Sequence, residues 1–518
     1  MAALQQAYVR ACGQRPAGDP VRMQAAEAVA MAGGDAVAWL NLAFEHFAGW
    51  RFGHGHAALA ESLRRDPGLL AARWLHFQFP EAPSPADEDD AERFRQRWEA
   101  GVAAFEAMDF RQPALRAQVF GCIGSAPAFY RHYVDDAVAA AKRYGRLVHR
   151  MMAALDPGEP ARAMRSGRRR ILFVSPNLFQ HTVARLFLPL IEDLDAARFD
   201  VHLAHLGAES DAMTARARAA GTFHAGPRAG PQWRQLFAEL APDVIVYLDI
   251  GMHPLPQVLA ALRLAPVQCV LWGHPVTTGL PTIDWFISAD ALEPADAQDH
   301  YSERLLRLPG LGNGLEPPAA AAAPPAPGTN LLCAQSVFKL MPAQDALFAR
   351  VLAALPAARL HLIPHFDAGV RAGLLDRLRS CLAGHGIDAD RRVVMHGYQP
   401  LDGFLALADG CAVNLDSIGW SGGMSGMDLL RRGLPTVTLP GRTLRSRQTA
   451  VLLERMGVAE LIARDEADWC AKAIALAGDP GRRQDLSGQL RQAAPAALDD
   501  RAASAAALAE FLATCGPA

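Results

Sequence analysis

Residues 417–441 read SIGWSGGMSGMDLLRRGLPTVTLPG. A glycine-rich turn at 421–426 runs into an apolar helical pattern that carries one carboxylate, Asp428, and residues 435–439 then read as a buried strand. A turn, a helix and a buried strand in that order are the grammar of a parallel α/β sheet. Glycines let a backbone approach a ligand closely, and free N–H groups at a helix N-terminus bind phosphate. Asp428 is then placed to accept hydrogen bonds from sugar hydroxyls, as acids do for ribose in nucleotide folds. A plain tight connection fits the same turn, so residues elsewhere must decide between the two.

On either side of this stretch the same grammar repeats. Strands fit at 330–334, 359–363, 392–396, 412–415 and 436–439, with helices near 342–355, 368–384, 401–409, 424–433 and 445–456 between them. An earlier set of apolar runs lies at 171–175, 199–204, 244–248, 267–271 and 285–288. The two sets are separated by a Pro/Ala-rich linker at 316–328. The expected fold is therefore α/β, two doubly wound domains facing a cleft, at 166–315 and 329–490, with a C-terminal helix at 491–518. Residues 1–165 read as wholly helical. The segments 39–47 and 57–67 within them look like one degenerate tetratricopeptide unit, which must pack on neighbouring helices to bury its face. The acidic stretch 80–90 reads as a solvated loop, and the arginines at 165–170 as a solvated approach to a strand.

A chain of 518 residues, 51% hydrophobic and 20% charged, has room for two or three cores. Its net charge of −3 supplies no global field for nucleic acid or anionic membrane. The eight cysteines are scattered without metal or disulfide spacing, which favours a reducing cytoplasm. No run is long and apolar enough for a membrane span, and the first residues lack the core of a signal peptide.

Lys339 follows the first strand of the second domain, on the same sheet edge as the glycine turn, where a cation could neutralise a departing diphosphate. Taken with it, several segments resemble the O-GlcNAc transferase/SPINDLY family of inverting GT-B protein glycosyltransferases and the related bacterial adhesin N-glucosyltransferases. They are Val174-Ser-Pro-Asn-Leu-Phe-Gln-His181, Arg263-Leu-Ala-Pro-Val-Gln268, Trp272-Gly-His-Pro-Val-Thr-Thr-Gly279, Tyr301-Ser-Glu-Arg-Leu-Leu-Arg-Leu-Pro309, Gly426-Met-Asp428 and Gly433-Leu-Pro-Thr-Val-Thr-Leu-Pro-Gly441.

The resemblance implies roles. Lys339 matches the lysine on the donor diphosphate and Asp428 the acid on the ribose. Met424 and Ser425 stand where a pair of threonines caps the phosphates, with Gly423 in place of a histidine and Gly426 closing the turn. The family glutamine near the lysine falls at Ser336, with Gln335 one place earlier. Gln399 and Phe404 lie in the base-binding segment. His181 matches a histidine facing acceptor and donor sugar, and His274 resembles the N-glucosyltransferase branch. His253 and His224 are further cleft candidates.

The implied function is metal-independent transfer of GlcNAc or glucose from a UDP-sugar to a polypeptide side chain. GDP-fucose stays open as donor, and either Ser/Thr or Asn as acceptor. The UDP-sugar is a co-substrate and no cofactor or metal is expected. The Asp388-Ala-Asp390 pair precedes a strand and reads as a surface turn. A nucleotide-sugar epimerase and a catalytically degenerate helical-repeat binding module are the alternatives.

Overall fold

A computed structural model describes residues 1–135, 138–158, 163–316 and 328–516. Among them twelve strands form two sheets, and every strand pairing is parallel. The first sheet holds β1 (Arg169–Ser175), β2 (Phe199–His205), β3 (Thr222–His224), β4 (Val244–Tyr247), β5 (Val267–Leu271), β6 (Trp285–Ala289) and β7 (Arg304–Leu308). Its order is β3-β2-β1-β4-β5-β6-β7. The second holds β8 (Leu331–Cys333), β9 (Leu360–Leu362), β10 (Val393–Met395), β11 (Val413–Leu415) and β12 (Thr436–Val437), ordered β10-β9-β8-β11-β12. Residues 171–174 and all of β4 are fully buried, because helices cover both faces of a parallel sheet. That is why these strands read as unbroken apolar runs. The two strands without such a run, β3 and β7, are the edges of the first sheet, where one flank stays open to charged side chains.

Ten helices lie between Ala2 and Leu155 among the described residues. The helices Ala36–Ala48 and Phe52–Arg65 form the expected antiparallel-type pair, brought close because Gly55 has no side chain: a Cβ there would lie 2.7 Å from the Phe47 ring. They share one core with the helices before and after them, through Met23, Leu42, Phe47, Leu59 and Leu75. Two sequence readings need correction. Glu88, Asp89 and Asp90 are not loop but the first turn of the helix Glu88–Glu106, capped by Asp87, whose carboxylate accepts from the Asp90 N–H at 2.7 Å. Carboxylates belong there because they meet the positive end of the helix. The arginines before β1 are engaged rather than merely solvated: Arg165 pairs with Asp243 at 3.0 Å and Arg170 with Asp200 at 2.7 Å, tying the start of the strand down.

The helical region docks on both sheet units. Gly145 meets the backbone of Gly279, itself at φ 68°, so closely that a Cβ at 145 would lie 2.2 Å from the Gly279 carbonyl carbon. Tyr133 stacks on Trp420 with ring centroids 4.2 Å apart. Phe129 and Tyr130 pack against Phe338, next to Lys339.

At the other end, the boundary expected at 490 falls inside the helix Pro480–Leu498. The last helix, Arg501–Thr514, returns to the first sheet, where Phe511 packs edge-on against Trp285 and Arg169 donates to the carbonyls of Leu512 and Cys515. Residues 317–327 of the linker lie outside the described residues. All eight cysteines are free thiols, and no described helix is long and apolar enough to cross a membrane.

The Gly145–Gly279 contact predicts that Gly145→Ala lowers stability by about 1–3 kcal/mol through overpacking against rigid backbone. Gly373, in the helix Ala368–Ala383 with nothing within 4 Å of its missing Cβ, is the control. Gly373→Ala should raise stability by about 0.5–1 kcal/mol from backbone entropy alone. Chemical denaturation of the two variants checks both signs.

Candidate active site

In both sheets the chain adds strands to one side of the first strand and then to the other. The reversal lies between β1 and β4 in the first sheet and between β8 and β11 in the second. At such points the loops leaving neighbouring strands part and open a crevice.

The crevice of the second sheet is built around Asp416, which follows β11 and is 1% exposed. Its Oδ1 accepts from the Gly422 N–H at 2.8 Å and from Gln335 Nε2 at 3.1 Å, and its Oδ2 accepts from the Thr438 hydroxyl at 2.8 Å. Burial pushes its pKa up, opposed by Thr438, the Gly422 amide and the Lys339 charge. Gln335 follows β8 and turns its other end outward, so that its Oε1 accepts from Lys339 Nζ at 3.0 Å. Burial draws the Lys339 ammonium down to about 8, against the pull of Asp416. The Asp416–Gln335–Lys339 chain therefore fixes one cation at the crevice. Of the two residues in question before Lys339, it is the Gln335 side chain that reaches the lysine. Ser336 contributes its carbonyl, which accepts the Lys339 N–H at 2.9 Å.

The glycines of the opening turn follow from what lies behind them. A Cβ at Gly422 would sit 2.7 Å from Gln335 Nε2, and one at Gly423 would sit 2.7 Å from Gln448 Oε1. Ser421 and Thr449 clamp the turn from below, the Thr449 N–H donating to Ser421 Oγ at 2.9 Å. The helix Met424–Arg431 starts here with Gly423 as its N-cap and no side-chain cap. The first-turn N–H groups at Met424, Ser425 and Gly426 thus have no partner from the helix itself. The turn that leads into them packs on Gln335, the residue that holds Lys339.

One turn further on, Asp428 is 1% exposed and held by a bidentate ion pair that the sequence reading missed. Arg185 of the helix Thr182–Glu192, in the first unit, donates to its two oxygens at 2.9 and 3.0 Å. No local sequence signal joins residues 243 positions apart.

Gln399 lies past β10, with Nε2 3.4 Å from the Gly397 carbonyl. Phe404 is half-buried and packs on the small core of Leu332, Ala408 and Leu429, whereas the neighbouring Tyr398 is 76% exposed. Tyr398 is thus the more accessible ring of this segment, though a lone aromatic in a loop carries no signal in sequence.

The histidines separate by their hydrogen bonds. His181 caps the helix Thr182–Glu192, its Nδ1 accepting from the Val183 N–H at 3.2 Å. Burial draws it down to about 4, so it is a neutral ring with the proton on Nε2. His253 caps the helix Pro254–Ala260 in the same way, accepting from Leu255. His274 is buried beyond β5, with Nε2 2.8 Å from Nδ1 of His132 and its ring 5.5 Å from Trp420. Burial, with the nearby Arg445 charge adding to it, pulls His274 down to about 3. His132 comes from the helical region and was not singled out by sequence. His224, on the edge strand β3, pairs with His202 of the neighbouring β2, away from the strand reversal. At the reversal itself sits Asp249, fully buried, accepting from Ser175 Oγ at 2.5 Å and Asn177 Nδ2 at 3.2 Å. Burial raises it to about 6.

Among the described residues no group of three or more His, Cys, Asp or Glu is placed to hold a metal ion. Asp388 caps the short turn Ala389–Arg392, and Asp390 pairs with Arg379 at 2.6 Å. Asp416→Ala should lower stability by at least about 2 kcal/mol, since it strands the Thr438, Gln335 and Gly422 donors in a buried site. Thermal and urea unfolding check it.

Residues 331–498 match glycosyl transferase family 41. The chain is 28% identical over 343 residues to a probable UDP-N-acetylglucosamine–peptide N-acetylglucosaminyltransferase SPINDLY of Petunia hybrida, covering 62% of this chain and 35% of that protein. It is 25% identical over 253 residues to a UDP-glucose:protein N-beta-glucosyltransferase of Actinobacillus pleuropneumoniae, covering 46% and 38%. The chain thus spans about a third of the length of the curated relatives it matches. Along nearly its whole length it superposes on a mutant O-GlcNAc transferase of Thermobaculum terrenum, with a TM-score of 0.74, 25% identity, and coverage of 99% and 96%. The overall architecture is shared with that structure, and it is the second sheet unit that matches glycosyl transferase family 41.

Proposed function

We propose that the protein is an inverting glycosyltransferase that moves GlcNAc or glucose from a UDP-sugar to a side chain of a polypeptide. The observation that carries this reading is the Lys339 ammonium, anchored through Gln335 to buried Asp416 beside an uncapped helix N-terminus. In an inverting transfer the acceptor atom attacks the anomeric carbon from the face opposite the diphosphate. The bond from that carbon to the diphosphate oxygen breaks, UDP leaves with the electron pair, and the proton of the acceptor group passes to an oxygen of the departing diphosphate. The charge that develops on the leaving phosphate is met by Lys339 and by the amides of Met424, Ser425 and Gly426, groups already in place before the reaction. Those groups can carry the diphosphate without a divalent ion, and turnover should be unchanged in excess chelator.

His181 borders the donor crevice through the helix that carries Arg185. With its proton on Nε2 it serves as a hydrogen-bond donor to a sugar or acceptor oxygen rather than as the first proton acceptor. His274 and His132 supply a second, neutral pair on the acceptor side. The names of the plant and bacterial relatives support UDP as the nucleotide and a protein as the acceptor. The helical region, which covers the Lys339 loop with Phe129 and Tyr130, is the surface on which an acceptor protein would be presented. Free thiols throughout accord with a cytoplasmic setting.

The test is a stability panel with UDP, GDP, UDP-GlcNAc, UDP-glucose and GDP-fucose, followed by product analysis with peptide acceptors. A ligand at a hundred times its dissociation constant adds about 2.7 kcal/mol of stability. Stabilisation by UDP and its sugars, lost in Lys339→Met, and sugar appearing on the peptide are the expected results. Free UDP without modified peptide would favour an epimerase, and no stabilisation by any nucleotide would favour a binding module.

A pH dependence follows from Lys339. The protonated form binds the diphosphate, and the free lysine loses its proton near 8. UDP affinity should therefore hold below that pH and fall as pH rises through it, whereas Lys339→Met should be weak and flat over the same range. Calorimetric titration between pH 7 and 9.5 reads the slope.

A further inference from the structure

A groove of about 920 Å³ runs between the helical region and the second sheet unit, on surface that the donor crevice does not use. One wall is the segment 81–88, which leads into the helix Glu88–Glu106. The other is formed by the helices Pro342–Ala354 and Ala368–Ala383. The walls are tied together: Ser84 Oγ donates to the Leu340 carbonyl at 2.9 Å, Arg377 to the Pro85 carbonyl at 2.8 Å, and the Ala343 N–H to Glu88 at 3.1 Å. The groove is therefore a built part of the fold.

Its lining is mostly apolar, with Phe52, Val337, Val370 and Leu374 among it, and its charge is of one sign. Glu81, Asp87, Glu88, Asp345 and Asp376 stand against Arg377. That arginine is spent on Asp345, 2.7 Å away, with both side chains nearly buried. Asp87 and Glu88 are exposed and accept from backbone N–H groups. Glu81 and Asp376 pair with Arg97 and Arg379 yet stay 50% and 67% exposed. Gly373 keeps the second wall low, since a Cβ there would meet nothing within 4 Å. Trp50 also lines the groove and is held at φ 62°, a backbone conformation that costs a bulky residue about 1–3 kcal/mol unless its surroundings fix it. Its ring lies 4.2 Å from His365 and 5.6 Å from Phe338, the residue before Lys339. The groove thus reaches to within one ring of the loop that carries Lys339.

An acidic rim repels nucleic acid and anionic lipid. Lysine and arginine suit both features, because their stems lie along apolar surface while their heads reach carboxylates. We infer that the groove docks a lysine- or arginine-bearing stretch of the polypeptide acceptor, held outside the donor crevice while the side chain to be modified reaches in. The inference rests on the proposed transfer to a polypeptide.

The test is equilibrium binding of three labelled peptides to the full chain, followed by product analysis with each. They share one centre bearing Ser, Thr and Asn and carry flanks rich in arginine, glutamine or glutamate. The arginine peptide should bind more tightly than the glutamine peptide by about five- to thirty-fold at low salt, several exposed charge contacts acting together. The margin should shrink as salt screens them, and the glutamate peptide should bind most weakly. Glu88→Gln with Asp376→Asn, one change on each wall, should bring the arginine and glutamine peptides within about three-fold of each other. Gly373→Trp, which adds a ring where the folded chain has nothing to displace, should weaken both peptides and leave UDP affinity unchanged.

Three peptides bound alike overturn the inference, as does a preference untouched in the double variant or an arginine-peptide affinity untouched in Gly373→Trp. Sugar reaching all three peptides equally would, in that case, leave the proposed transferase standing. Arginine-peptide binding that the variants weaken, with no sugar reaching any peptide, would instead overturn the acceptor reading and the inference with it.

Discussion

The buried carboxylate of Asp416 is the constraint on which the site is built. A carboxylate at the bottom of a crevice needs its lone pairs filled, and here three donors answer, the Thr438 hydroxyl, the Gly422 amide and the Gln335 carboxamide, the last of which also holds the Lys339 ammonium. Each comes from a different loop of the second sheet. The loop after β8 brings Gln335 and Lys339, the loop after β11 brings Gly422, and β12 leads into Thr438. One acid therefore sets the register of three loops and determines where the one cation points. The polar cluster of Asp249, Ser175 and Asn177 occupies the matching place in the first sheet. The two units thus use the same device, a buried acid where the strand order reverses, to fix their loops.

Around this centre the three regions of the chain are interdependent. The helical region is no separate handle: it supplies His132 to the His274 pair, lays Tyr133 on Trp420 and covers Phe338 beside Lys339. Arg445 of the second unit adds its guanidinium over Trp420 and donates to the His132 carbonyl. Aromatic rings make much of this junction, which suits a place where apolar area must be buried without closing the crevice.

Much of the fold could be read in the sequence because it rests on local chemistry. The apolar runs at 171–174 and 244–247 had to be central strands, since only a sheet covered on both faces buries every residue of a strand. The turn at 421–426 could be read as a tight turn into a helix from its glycines, although the packing that requires Gly422 and Gly423, against Gln335 and Gln448, could not. The edge strands β3 and β7 escaped notice, β3 being three residues long and the apolar run of β7 being broken by Arg304 and Arg307. The acidic run after Asp87 looked like loop because a capped first turn and a solvated loop share a composition. Within the site, Lys339 and Asp428 stood out, helped by the family resemblance. Gln335 stood beside Ser336 as a candidate and Asp416 among the resembling positions, but what either touches could not be read; Gln448 gave no signal, and Arg185 and His132 lie 243 and 142 positions from their partners. Spacing along a chain records helices, strands and turns; it does not record which side chains meet across a cleft.

The return of the last helix to the first sheet has a mechanical meaning. The chain passes between the two sheet units once through the linker and again between Leu498 and Arg501. Where the last helix begins, Arg501 pairs with Glu316, the last described residue before the linker, at 3.0 Å and with Asp193 at 2.7 Å. The second crossing is thereby pinned by charge to the first sheet unit at the place where the chain leaves it, and the Arg185–Asp428 pair ties the two units again at a separate point.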